Sequence, residues 1–76
     1  MAIDAAALNT ALGYDSDIGQ PHVVREFSLS DSATQGWYID GGKDYAGRIR
    51  FVNTTAALTA AEQATEVTTA LLAGPA

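Results

Sequence analysis

The stretch GWYIDGGKDYAGRIRFVN, residues 36–53, decides the fold. It holds two short runs rich in β-branched and aromatic residues, Gly36 to Asp40 and Arg48 to Asn53. Between them lies Asp40-Gly41-Gly42-Lys43-Asp44, the strongest turn signal in the chain. Two such runs around a glycine turn predict an antiparallel hairpin. The segment between the runs exceeds a two-residue turn, so a bulge or a small exposed loop with Tyr45 at its tip is expected. In the first run Trp37 and Ile39 share a face and Tyr38 points the other way. In the second, period-2 alternation puts Ile49 and Phe51 on one face and Arg48, Arg50 and Val52 on the other. The more apolar pair, Ile49 and Phe51, is expected to face the core.

Working outward, His22 to Ser30 predicts a further strand. Val23, Phe27 and Leu29 alternate onto one face, with Val24, Glu26 and Ser28 on the other. Arg25 interrupts the apolar face, which suits an edge strand or an aliphatic stem with its head in water. Asp31 to Gly36 is a polar connection. Tyr14 to Pro21 is a loop of turn formers, among them Asp15, Ser16, Asp17 and Gly19.

Helices are expected at both ends. Ile3, Ala7, Leu8, Ala11 and Leu12 form one apolar stripe, so Ile3 to Leu12 predicts a short helix. Asp4 in its first turn suits the helix dipole, and Gly13 sits where a left-handed residue ends a helix. Thr59 to Ala73 predicts the second helix. Thr59-Ala60-Ala61-Glu62 has the capping-box pattern, and Gly74-Pro75 is a stop signal. Its expected buried stripe is Ala60, Ala64, Val67 and Leu71. The order α, β, β, β, α predicts one α+β domain over 1–76, a small two-layer structure with a three-stranded antiparallel sheet and two flanking helices.

Composition narrows the function. A chain of 76 residues is near the lower end of what folds alone. It has no cysteine, so disulfides, thiolate–zinc sites and a thiol nucleophile are excluded. Oligomerisation is the stabilising device still open to it. Nine acidic and four basic residues give a net charge of −5, which argues against a phosphate-backbone binder. No nucleic-acid partner is therefore expected. No run reaches the roughly 18 apolar residues of a membrane span. Met1 to Leu12 has no basic region and carries Asp4, so a secretory signal is not expected.

Chemistry-bearing patterns are sparse. Asp15-Ser16-Asp17 offers two carboxylates for a hard cation, but the central glycine of a calcium loop is missing, with Gln20 in its place. Asp40 and Asp44 beside Gly41-Gly42 would repel a phosphate, and no Lys-Ser/Thr follows. The single histidine, His22, follows Pro21 with no nucleophile elbow in the chain. No cofactor, metal site or catalytic residue is expected. Arg48 and Arg50 share a strand face near Trp37, Tyr38 and Tyr45. Arginine, tryptophan and tyrosine favour protein interfaces, which makes these five residues the candidate contact set.

In style the chain resembles small virion proteins of tailed bacteriophages: acidic, cysteine-free and rich in alanine, threonine and glycine. The segments Trp-Tyr-Ile-Asp-Gly-Gly and Gly-Arg-Ile-Arg-Phe-Val-Asn carry the resemblance, which is compositional and transfers no residue roles. It implies a capsid-decorating, cement or tail-associated subunit present in many copies. The expectation is a non-enzymatic structural or interaction protein, in a virion or the cytoplasm, that self-associates or binds a symmetric protein lattice. Two alternatives stay open: a small acidic inhibitor or nucleic-acid mimic, and a small ligand-binding or enzymatic domain.

Overall fold

The computed structural model describes residues 2–16 and 19–74. Its element order is α1 (Ala5–Leu12), β1 (His22–Phe27), β2 (Thr34–Asp40), a 3-10 turn (Lys43–Tyr45), β3 (Ile49–Thr55) and α2 (Ala60–Ala73). The strands form one antiparallel sheet in the order β1-β2-β3. Both helices pack on one face of it. The expected α+β architecture is therefore present, with element ends shifted by a few residues.

Local signals explain the helices. Asp4 is the N-cap of α1 rather than a first-turn residue: its Oδ1 accepts the Ala7 amide at 2.8 Å. Ile3 stays outside the helix, because its backbone N–H and C=O both bond to the Gln35 side chain. Gly13 takes φ 82° and closes α1. The Thr59 and Glu62 capping box of α2 is fully formed. Thr65, Thr68 and Thr69 each return a hydroxyl hydrogen bond to the carbonyl four residues back. That satisfies polar groups in a helix of modest intrinsic propensity.

The strands depart from simple alternation at one place. Val23 pairs with Ile39, but Arg25, not Val24, pairs with Tyr38. This bulge turns the rest of β1 over. Val23 is buried with Ile39, whereas Phe27 falls on the opposite face with Tyr38. The expectation that Val23 and Phe27 share a face is thereby corrected. β1 also ends at Phe27, three residues before the expected Ser30. There Asp31 takes over the backbone: its Oδ1 accepts the Ala33 and Thr34 amides, both at 2.9 Å.

The inner, helix-covered face carries Val23, Gln35, Trp37, Ile39, Arg50, Val52 and Thr54. Leu8, Val67 and Leu71 close the core against it. Trp37 has no exposed surface. Its Nε1 donates to Thr54 Oγ1 at 2.8 Å, and Thr54 Oγ1 donates to Gln63 Oε1 at 2.6 Å. Gln63 Nε2 then donates to Leu58 O at 3.1 Å. Gln63 is fully buried and takes a place in the core expected for Ala60, which is half-exposed.

Two tests follow from this polar chain and from the Asp31 turn. Thr54→Val removes the acceptor for the buried indole and the donor to Gln63, leaving both unpaired. It should lower unfolding free energy by about 2 kcal/mol in urea titration followed by Trp37 fluorescence. For Asp31, hydrogen bonds from the Thr34 side chain, the Thr34 amide and the Ala33 amide hold the carboxyl below its ordinary range. A carboxyl depressed in the folded state contributes stability above its unfolded pKa and loses it as pH falls through the folded one. NMR titration should find Asp31 ionised at pH values where an unpaired aspartate is already protonated, and Asp31→Asn should flatten the acid limb of the stability profile.

Candidate functional site

The sidedness of β3 is the reverse of the sequence expectation. Val52 pairs with Trp37 and is buried, whereas Phe51 pairs with Tyr38 on the helix-free face. Phe51 is 45% exposed and Ile49 61%. Arg50 pairs with Ile39 and so lies on the inner face. A core residue of higher polarity is tolerated there because both terminal nitrogens of its guanidinium have partners, while the buried Nε has none among the described residues. Arg50 Nη1 donates to Leu71 O at 3.0 Å and Nη2 to Tyr45 O at 2.9 Å. α2 has no basic residue in its own last turn. Arg50 supplies the positive charge to that helix end from the neighbouring strand.

The five candidate contact residues are thus divided. Trp37 is wholly within the core, and Arg50 is half-buried as the internal tie just described. Tyr45 is not an exposed loop tip. It closes the 3-10 turn and packs against the core, half-buried. The turn is tight because Gly42 comes against the 19–20 backbone, where a Cβ would lie 2.5 Å from Gly19 O. Tyr38 lies on the open sheet face, and Arg48 is exposed at the entrance to β3.

The open face has a substructure that sequence alternation missed. Phe27, Tyr38 and Phe51, one from each strand, form a closed ring of contacts. Centroid distances are 5.5 Å for Phe27–Tyr38, 5.3 Å for Phe27–Phe51 and 5.6 Å for Tyr38–Phe51. The first two pairs are edge-to-face at 85° and 80°. The Arg25 guanidinium carbon stands 4.7 Å from the Tyr38 centroid and 5.8 Å from that of Phe27. Gly36 makes room for the cluster: a Cβ there would sit 2.8 Å from two ring carbons of Phe51. Val24 and Ile49 add exposed apolar surface. The signal for this patch in the sequence was Arg25 itself, an arginine two residues before a phenylalanine on an edge strand.

The remaining polar candidates serve the fold. His22 stacks on Tyr14 with centroids 4.6 Å apart, and its Nδ1 lies 3.3 Å from Gln20 O. Asp40 Oδ1 accepts the Gly42 amide within the turn. Of the Asp15/Asp17 pair, Asp15 is exposed and Asp17 lies outside the described residues. Among the described residues no three His, Asp or Glu side chains are gathered as a metal site would need. Nor is any helix among them long and apolar enough to cross a membrane.

The two arginines paired in the sequence should behave differently. Arg50→Met breaks two charge-assisted bonds to carbonyls and should cost about 1–2 kcal/mol of unfolding free energy at this half-buried site. Arg48→Ala should change it by less than about 0.5 kcal/mol. Parallel thermal and chemical denaturation of the two variants checks the contrast. No protein family, no curated protein and no solved structure matches the chain.

Proposed function

We propose that this chain is a non-enzymatic structural or interaction protein that works in many copies as a subunit of a larger assembly, such as a capsid-decorating, cement or tail-associated component of a phage virion. The observation that carries the reading is the interlocked Phe27–Tyr38–Phe51 cluster on the helix-free sheet face. Aromatic side chains and arginine are the residue types on which interfaces concentrate their binding energy. Here each ring is held by the other two, so little side-chain entropy remains to be lost on docking. Arg25 lies over the rings and keeps a charge beside them for a partner's carboxylate or carbonyl.

The disposition of the acidic residues favours this over a nucleic-acid mimic. A mimic needs its carboxylates free and evenly spaced. In this chain Asp4, Asp31, Asp40, Glu62 and Glu66, five of the nine acids, accept backbone amides. They act as caps and turn-formers rather than as a presented charge array.

The test is the double variant Arg25→Glu/Phe27→Ser, which alters the open face and leaves the inner core untouched. With its circular dichroism unchanged, it should no longer co-sediment with the particle that the unaltered chain decorates on a density gradient. Recovery of the unaltered chain as a free protein, outside any particle, would overturn the reading.

A further inference from the structure

The two edges of the sheet are not equivalent. In an antiparallel pair, residues alternate between those bonded to the neighbour and those whose N–H and C=O point away. On β3 the bonds Gly41 N to Arg48 O and Ala56 N to Ala33 O set the phase. With the register of β2 and β3, they place Arg50, Val52 and Thr54 toward β2. Ile49, Phe51, Asn53 and Thr55 therefore turn their backbone groups outward. Thr55 is stopped: its amide donates to Glu66 Oε1 at 2.7 Å and its hydroxyl to Oε2 at 2.9 Å. The amides of Ile49, Phe51 and Asn53 have no partner among the described residues. On β1 the same phase argument turns the Val23 amide outward, and Asn9 Oδ1 occupies it at 2.8 Å beside the bulge.

We infer that β3 is a pairing edge and that its occupant is a second copy of this chain, added antiparallel about a two-fold axis through Phe51. The inference rests on the reading of the chain as a multi-copy subunit but uses the strand edge rather than the open face. Three observations select this occupant. The first is register. The free stretch Ile49 to Asn53 is centred on Phe51, so the symmetric pairing of Phe51 with its own copy uses every outward group, giving about six backbone bonds.

The second is charge. In that register Arg48 comes beside Thr54 of the other copy, next to the Glu66 carboxylate that caps Thr55. The contact occurs twice by symmetry. A parallel arrangement would instead set Arg48 against Arg48. Net charge −5 makes an indiscriminate approach of two copies unfavourable, so such a local match decides orientation.

The third is space. A groove of about 390 Å³ runs between this edge and α2, lined by Asn53, Thr65, Glu66, Thr69, Ala70 and Ala73. Short side chains on α2 leave the second copy's strand and helix room to approach. The residues that turn their backbone groups outward, Ile49, Phe51 and Asn53, include no charge and no proline, and the one charged residue of the strand, Arg50, is tied inward to Leu71 and Tyr45.

The experiment is light scattering of the purified chain at rising concentration, with amide hydrogen exchange read residue by residue. A dimer is expected, with the Ile49, Phe51 and Asn53 amides slowing at least tenfold as it forms. Asn53→Pro removes an outward N–H that makes no bond among the described residues, so it should give a folded monomer. Arg48→Glu should weaken the dimer at least tenfold and raise its sensitivity to charge, while Arg25→Glu/Phe27→Ser should leave it intact. A chain that stays monomeric at millimolar concentration, or a dimer whose three amides exchange as fast as in the monomer, would overturn the inference. The exchange result stands even if Asn53→Pro fails to fold. Loss of particle binding with the dimer preserved separates a failure at the face from a failure at the edge.

Discussion

Everything in this small domain is referred to one buried polar connection, from Trp37 through Thr54 to Gln63. It joins the middle strand, the edge strand and the C-terminal helix through side chains that are all at most 2% exposed. An indole N–H in an apolar interior needs an acceptor, and Thr54, the diagonal neighbour of Trp37 on the inner face of β3, supplies it. That requirement places Thr54 inward. Thr54 inward places Val52 and Arg50 inward by period, and expels Phe51 and Ile49. The helix is then fixed along its length, because Gln63 must meet the Thr54 hydroxyl while also reaching the carbonyl of Leu58. A core of leucines and valines alone would tolerate small slides of α2 on the sheet. A core with a directed hydrogen-bond chain does not.

The same constraint explains where polar residues of the inner face find their partners. Arg50 reaches the C-terminal carbonyl of Leu71 and the carbonyl of Tyr45, so one side chain joins β3, α2 and the 3-10 turn. Gln35 plays a comparable part at the other end, clamping both backbone groups of Ile3. Side-chain amides and a guanidinium here do what a longer sheet or a disulfide does elsewhere. For a cysteine-free domain with few large apolar side chains, such directed ties add specificity that hydrophobic burial by itself does not provide.

Much of the architecture was legible in the sequence. The glycine turn after Asp40, the capping box at Thr59 and the left-handed stop at Gly13 are local signals, and each forms as written. The face of β3 was not legible. Hydropathy ranks Phe51 and Ile49 above Arg50 and Thr54, and nothing local to the strand announces that Trp37 needs a hydroxyl diagonally across from it. The bulge at Val23–Arg25 was equally hidden, since a one-residue insertion leaves composition unchanged while moving Phe27 to the other side. The two omissions compound. Together they conceal the aromatic cluster, whose three members come from three strands and acquire a common face only once both corrections are made.

The unequal edges have a consequence for the architecture of any assembly the chain builds. A sheet with two open edges can add copies at both ends and has no natural stopping point. Here Asn9 and a bulge obstruct β1, while Glu66 ends the ladder on β3 at Thr55. In the proposed dimer β3 is used in both copies, and β1, interrupted at Val23, is left outermost. Joining two copies in this way would consume the free groups of β3 and leave a six-stranded sheet with β1 at either end. The proposed two-fold contact closes on itself as a point group, so that growth through β3 would end with the pair.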